Sequence, residues 1–221
     1  MFKKVYTYPP PDNATLKNKF GIRDFETAKN LERDLSALRL TSVGYITGDF
    51  DTKHIKSIHK HLFQDMYDWA GEFRKVNIYK QNVSFCDVTK LDNWFTSLSK
   101  QLNANAVMQK GISVEKAADF MGMYYRAYNF GHPFREGNGR IGRVLLVQMA
   151  QQAGYNLSFK NVTKQEWEEA SIDARYGNYD NLKDIFERSL SLRQPPVKAY
   201  DLSNEVLTFD KQEDNTDDYS L

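Results

Sequence analysis

Residues 140–153 constrain the fold more than any other stretch of this chain. Ile141, Val144, Leu145, Leu146, Val147, Met149 and Ala150 leave almost no polar face on a helix of that length. Such a helix has to be covered on every side, which places it at the centre of a bundle, and Gly154 is positioned to end it. The surrounding segments carry single apolar stripes. The spacing predicts a helix over about 25–40, capped by Asp24, with Leu31, Leu35 and Leu38 on its inner face. A second follows Asp51, with Ile55, Ile58, Leu62 and Met66 as its stripe and Gly71 as its stop. Leu91, Trp94, Leu98 and Leu102 mark a third. Ser113 caps a fourth, striped by Ala117, Met121, Tyr124 and Tyr128. Thr163 and Glu166 make a capping box for a helix holding Trp167, and a last helix spans about 180–190.

One strand signal interrupts this pattern. Between Glu72 and Val88, Val76, Ile78 and Tyr79 precede Lys80-Gln81-Asn82, and Val83 and Phe85 follow, which reads as a short hairpin. Two strands make no sheet of their own, so the hairpin lies against helices or serves as a flap. The expected class is therefore an all-α bundle with one β-hairpin. Residues 1–20, with Pro9-Pro10-Pro11, read as an extended lead-in, 21–190 as the folded domain and 191–221 as an acidic, flexible tail. From 198 onward the tail holds seven acids against two lysines. An acidic segment docking on a basic surface is the alternative reading of it.

Thirty Lys and Arg against 29 Asp and Glu give no support to a general nucleic-acid binder. The single Cys86 excludes an internal disulfide or a cysteine-rich zinc site, and reducing cytoplasm is the expected compartment. No apolar run reaches the ~18 residues of a membrane span. His54, His59 and His61 share one predicted helix without the i,i+4 spacing of a metal pair, and read as solvated or capping residues.

The chemistry concentrates between two apolar helices. Four of the 12 glycines (Gly131, Gly137, Gly139, Gly142) fall in Gly131-His132-Pro133-Phe134-Arg135-Glu136-Gly137-Asn138-Gly139-Arg140-Ile141-Gly142-Arg143. Gly137-Asn138-Gly139 can turn successive N–H groups inward as an anion nest, and the helix that follows adds its positive end. Arg140 and Arg143 stand three apart on its first turn and suit a polyphosphate. Glu136 is out of place there unless a cation such as phosphate-bound Mg²⁺ intervenes. His132 lies at the mouth, able to take a proton near neutral pH. Gly137-x-Gly139-x-x-Gly142 also matches the dinucleotide fingerprint, but that motif follows a strand, and here a helical stripe precedes it.

His132 to Arg143 resembles the Fic signature H-P-F-x-[D/E]-G-N-G-R-x-x-R at every specified position, and Ala70-Gly71-Glu72-Phe73-Arg74-Lys75-Val76-Asn77-Ile78 is similar to the segment leading into that family's flap. The resemblance implies a Fic-type helical bundle with a hairpin flap over the active site. It implies an adenylyltransferase that moves AMP from ATP to a Ser, Thr or Tyr hydroxyl of a target protein. Transfer of another nucleotide or of phosphate, and a non-catalytic partner-binding module, are the alternatives. By position, His132 would be the base, Phe134 a buried anchor and Glu136 the Mg²⁺ ligand. Gly137, Asn138 and Gly139 would form the anion cradle, with Arg140 on the phosphates and Arg143 on the γ-phosphate. The flap, about 77–87, would dock the target as an added strand through Ile78, Tyr79, Lys80, Val83 and Phe85. No Glu in the chain has Ser or Thr four residues before it, as the family's inhibitory helix requires. The combination resembles toxins restrained by a separate small antitoxin that supplies a Glu. Partners would be the target and that antitoxin, with no membrane and no nucleic acid, in the cytoplasm, export to another cell left open.

Overall fold

The computed structural model describes residues 6–42, 46, 48–80 and 83–193. The hairpin tip (Gln81, Asn82), the side chains of Lys80 and Val83, and the acidic tail lie outside the described residues. Helix α1 (Phe25–Ser42) opens where Asp24 accepts the Thr27 amide at 2.9 Å, and α2 (Thr52–Phe63) where Asp51 accepts the His54 amide at 2.8 Å. Strands β1 (Tyr79–Lys80) and β2 (Val83–Ser84) pair antiparallel, Tyr79 opposite Ser84. A 3₁₀ turn, Val88–Lys90, leads into α3 (Leu91–Gln101), and the single turn α4 (Ala104–Val107) follows. Ser113 caps α5 (Val114–Gly131), which runs into the glycine-rich loop and then α6 (Asn138–Gln152). β3 (Tyr155–Leu157), α7 (Lys164–Arg175), α8 (Asp180–Ser189) and β4 (Leu190–Leu192) complete the order. Thr163 caps α7 by accepting the Glu166 amide.

α6 sits at the centre as its composition requires, buried at every position from Arg140 to Ala150. α5 packs on it and on α8, while α2 covers the side beside the loop. Gly142, the third glycine of the dinucleotide-like pattern, serves this packing. A Cβ there would stand 3.0 Å from the Tyr125 ring and 3.1 Å from the Tyr128 ring.

Three expectations are corrected. On α1, Leu31 and Leu35 pack against the core as the spacing predicts, but Leu38 is 65% exposed, and the buried row is Ala28, Glu32, Ser36 and Leu40. α2 stops at Phe63 rather than near Gly71. Met66 still reaches the core, because a tight turn bonds the Met66 and Tyr67 amides back to the Phe63 carbonyl. The short hairpin is present as expected, its ladder covering two residues per strand. A second antiparallel pair, β3 with β4, joins Leu157 to Leu190, a pairing too distant in sequence for local turn signals to reveal. Residues 6–17 double back through one bridge, Thr7 to Leu16, and bring Tyr6 into a small cluster with Val76 and Ile78 under the hairpin.

Candidate active site

The loop from α5 to α6 is built by its neighbours. His132 ends α5 in the left-handed region, at φ 43° and ψ 63°, its amide bonded to the Tyr128 carbonyl at 3.0 Å. Phe134 is fully buried. The Asn138 side chain closes the loop on Phe134, accepting its amide and donating to its carbonyl, both at 2.8 Å. Tyr128 donates to the Asn138 carbonyl at 3.1 Å. Gly137 starts α6 at φ 81°, and a Cβ there would lie 2.2 Å from Phe63 Cζ, so no larger residue fits.

His59, read as solvated or capping, is instead fully buried beneath this loop, and His54 is buried beside Phe50. The His59 ring stacks on Phe134 with centroids 3.8 Å apart. Its Nδ1 accepts the Gly71 amide at 2.8 Å, so Nε2 carries the proton and donates to the Glu136 carbonyl at 3.2 Å. Burial, with the Arg140 charge adding to it, brings the His59 pKa down to about 3.

The charged residues of the loop meet α1. Arg140 gives Glu32 both terminal nitrogens, at 2.8 and 3.1 Å, and donates to Ser36 Oγ at 2.7 Å. Glu136 lies 3.8 Å from the Arg140 nitrogen that Glu32 holds at 2.8 Å, and Glu136 Oε1 accepts the Gly137 amide at 2.8 Å. Burial first, then the charges of Glu32 and Glu136, push the Tyr67 phenol well up from its usual value. Arg143 is buried, with one terminal nitrogen against the first turn of α6, 3.3 Å from where a Cβ on Gly139 would stand.

The hairpin covers the loop from above. Phe85 stacks on the His132 ring with centroids 3.8 Å apart, and the Arg175 guanidinium of α7 lies 4.5 Å over Phe85 while donating to the Ser84 carbonyl. Ile78 is buried and Tyr79 is exposed. The hairpin base is tied by buried Arg74. It donates to the carbonyls of His132 (2.9 Å), Val76 (2.8 Å), Gly131 (3.3 Å) and Cys86, and its amide bonds to the Pro133 carbonyl at 2.8 Å. Burial draws the Arg74 pKa down from its ordinary value.

The structure thus gathers His132, Glu136, Gly137, Asn138, Gly139, Arg140 and Arg143 at one helix start, with Ile78 and Phe85 of the hairpin alongside. Sequence reasoning missed His59, Glu32, Ser36, Arg74 and Arg175. Only Arg74 had a local signal, inside the segment leading to the hairpin. The others act across long separations.

Residues 49–150 match the Fic/DOC family. The chain is 36% identical over 186 residues to the protein adenylyltransferase VbhT of Bartonella schoenbuchensis, covering 83% of this chain and 39% of that protein's length. It is 30% identical over 186 residues to the "probable protein adenylyltransferase Fic" of Escherichia coli, covering 84% of this chain and 92% of that one. In three dimensions it is similar to the Bartonella tribocorum effector BepC with bound AMPPNP, at a TM-score of 0.76, 26% identity and 86% and 97% coverage. It is also similar to a Bartonella quintana Fic domain with bound ADP, at a TM-score of 0.76, 28% identity and 86% and 95% coverage. A bundle around one buried helix, the complete loop at that helix's start and the match over 92% of the Escherichia coli protein agree: this chain belongs to the Fic/DOC family.

Proposed function

We propose that this protein is a protein adenylyltransferase, transferring AMP from ATP to a Ser, Thr or Tyr hydroxyl of a target protein and releasing pyrophosphate. The observation that carries this reading is the start of α6, where a glycine-built anion cradle, Arg143 and Glu136 share one loop with His132. His132 takes the proton of the incoming hydroxyl, whose oxygen bonds to the α-phosphorus as the bond to the bridging oxygen of pyrophosphate breaks. Gly137 shapes the turn and keeps its amide on Glu136 Oε1, the amides of Asn138 and Gly139 and the dipole of α6 hold phosphate oxygens, and Arg143 takes the γ-phosphate. Arg140 adds positive charge at the cradle, its terminal nitrogens engaged by α1.

Glu136 fits Mg²⁺. It presents one hard carboxylate beside the cradle, and this ion is commonly held by one or two carboxylates with phosphate oxygens and water. Among the described residues there is no cluster of three or more His, Cys, Asp and Glu, and Glu136 would hold the ion together with phosphate oxygens and water. When bound, Mg²⁺ neutralises the charge that develops on the departing pyrophosphate. The hairpin docks the target segment along its edge with Tyr79 outward, while Ile78 and Phe85 pack inward and support it. Residues 21–190 form the catalytic unit, flanked by a lead-in and an acidic tail.

The protein acts in the cytoplasm as a toxin, and a small antitoxin restrains it by offering a Glu to Arg143. The buried acid that α1 brings to the motif supports a separate partner: Glu32 pairs with Arg140, not Arg143, and follows Ala28 rather than Ser or Thr at the fourth position before it. Among the described residues no helix is long and apolar enough to cross a membrane. Incubation of the purified chain with cell extract and ATP labelled at the α- or the γ-phosphate tests the activity. Protein labelled only from the α-position is expected. Label from the γ-position, or none from either, would overturn the reading.

A further inference from the structure

Two carboxylates compete for one guanidinium beside the loop. Arg140 and Glu32 form a bidentate pair with side chains 10% and 7% exposed, while Glu136, 21% exposed, stands 3.8 Å from the same Arg140 nitrogen. Ser36, also buried, occupies Arg140 Nη1 from the next turn of α1. A buried cation deprived of its anion takes the nearest one, and here that is Glu136. A carboxylate drawn into a bidentate arginine pair is a poorer ligand for a hard cation, because its oxygens point at N–H groups.

We infer that Glu32 is a positioning residue: by holding Arg140 against α1, it keeps Glu136, whose Oε1 accepts the Gly137 amide, out of a bidentate arginine pair at the mouth of the cradle. The inference rests on the reading of Glu136 as the Mg²⁺ ligand. It explains why α1 buries an acid and a serine in a row otherwise filled by Ala28 and Leu40. It also gives α1, which lies outside the matched span of 49–150, a part in the chemistry. Ser36 shares that part by fixing the guanidinium plane.

The test uses Mn²⁺ as a spectroscopic stand-in for Mg²⁺, with free Mn²⁺ read by electron paramagnetic resonance in the presence of a non-hydrolysable ATP analogue. Glu32→Gln is expected to weaken Mn²⁺ binding on the order of tenfold, with metal-free nucleotide affinity unchanged. Glu32→Asp, which keeps the charge, restores most of the loss. In a Glu136→Gln background, Glu32→Gln has no further effect, since the ligand it protects is gone. Should Glu32→Gln fail to fold, Ser36→Ala, which removes the second α1 anchor of Arg140 and leaves every charge in place, is expected to weaken Mn²⁺ binding in the same direction, and unchanged binding in it overturns the inference. Unchanged Mn²⁺ binding in Glu32→Gln, alongside weakened binding in Glu136→Gln, overturns the inference alone. Unchanged binding in Glu136→Gln overturns the metal reading and the inference with it. Tighter metal-free nucleotide binding in Glu32→Gln, with the metal unaffected, also overturns it, and makes Arg140 a phosphate ligand masked by α1.

Discussion

His132 owes its place to contacts that take no part in proton transfer. Its left-handed backbone, the Arg74 bond to its carbonyl and the Phe85 ring against its face all fix where the imidazole points. His132→Ala should therefore remove transfer by roughly 10²–10⁴ while ATP·Mg affinity, read by calorimetry, stays the same. Unchanged labelling would take His132 out of the mechanism. Phe85→Leu keeps an apolar residue but loses the flat face that stacks on the imidazole. It should lower kcat roughly tenfold through misplacement of the base, with nucleotide affinity preserved. A change in KM for ATP alone would instead make Phe85 part of the nucleotide pocket.

At the scale of elements, the hairpin is too short to hold itself. Its two paired residues per strand are anchored by Arg74 to the end of α5 and by Arg175 to α7. Arg74 also places a positive charge beside the carbonyls that end α5, where the helix dipole is negative. Arg74→Met should loosen the hairpin base by about 2 kcal/mol, roughly thirtyfold in amide exchange. The amides to follow are Arg74 and Cys86, which bond across to Pro133 and Phe130. Exchange across the middle of α6 should not change. Equal acceleration in α6 would show that Arg74 supports the whole core rather than the flap.

For the whole molecule, His59 couples stability to pH. The unfolded chain takes up a proton near the ordinary histidine pKa of about 6.5, whereas the folded protein resists until about 3. The contribution of neutral His59 is complete above pH 6.5 and declines as pH falls toward 3. Burial shifts His54 in the same direction. Denaturant midpoints should drop between pH 7 and 5, a window above the ordinary carboxylate range, and a flat profile there would exclude the buried neutral histidines. The acidic tail is tested separately. Deleting 198–221 should leave labelling and thermal midpoint unchanged if restraint comes from a separate antitoxin. A large rise in labelling would place the inhibitor in the tail itself.

The amino-acid sequence by itself determined the features that local chemistry controls. These are a helix with no polar face at the centre, caps at Asp24, Asp51, Ser113 and Thr163, a hairpin near Val76–Phe85, and a glycine-rich loop whose residues resemble the Fic signature from His132 to Arg143. What surrounds that loop was settled only by tertiary structure. Leucine spacing pointed α1 inward through Leu38, yet the helix turned so that Glu32 and Ser36 face in, because the buried charge of Arg140 requires an anion. His59 looked like a surface histidine until Gly71 and Glu136 supplied partners for both its nitrogens. A periodic stripe reports how much apolar surface a helix can bury, but which face turns inward is decided by charges and rings arriving from segments far away in the chain.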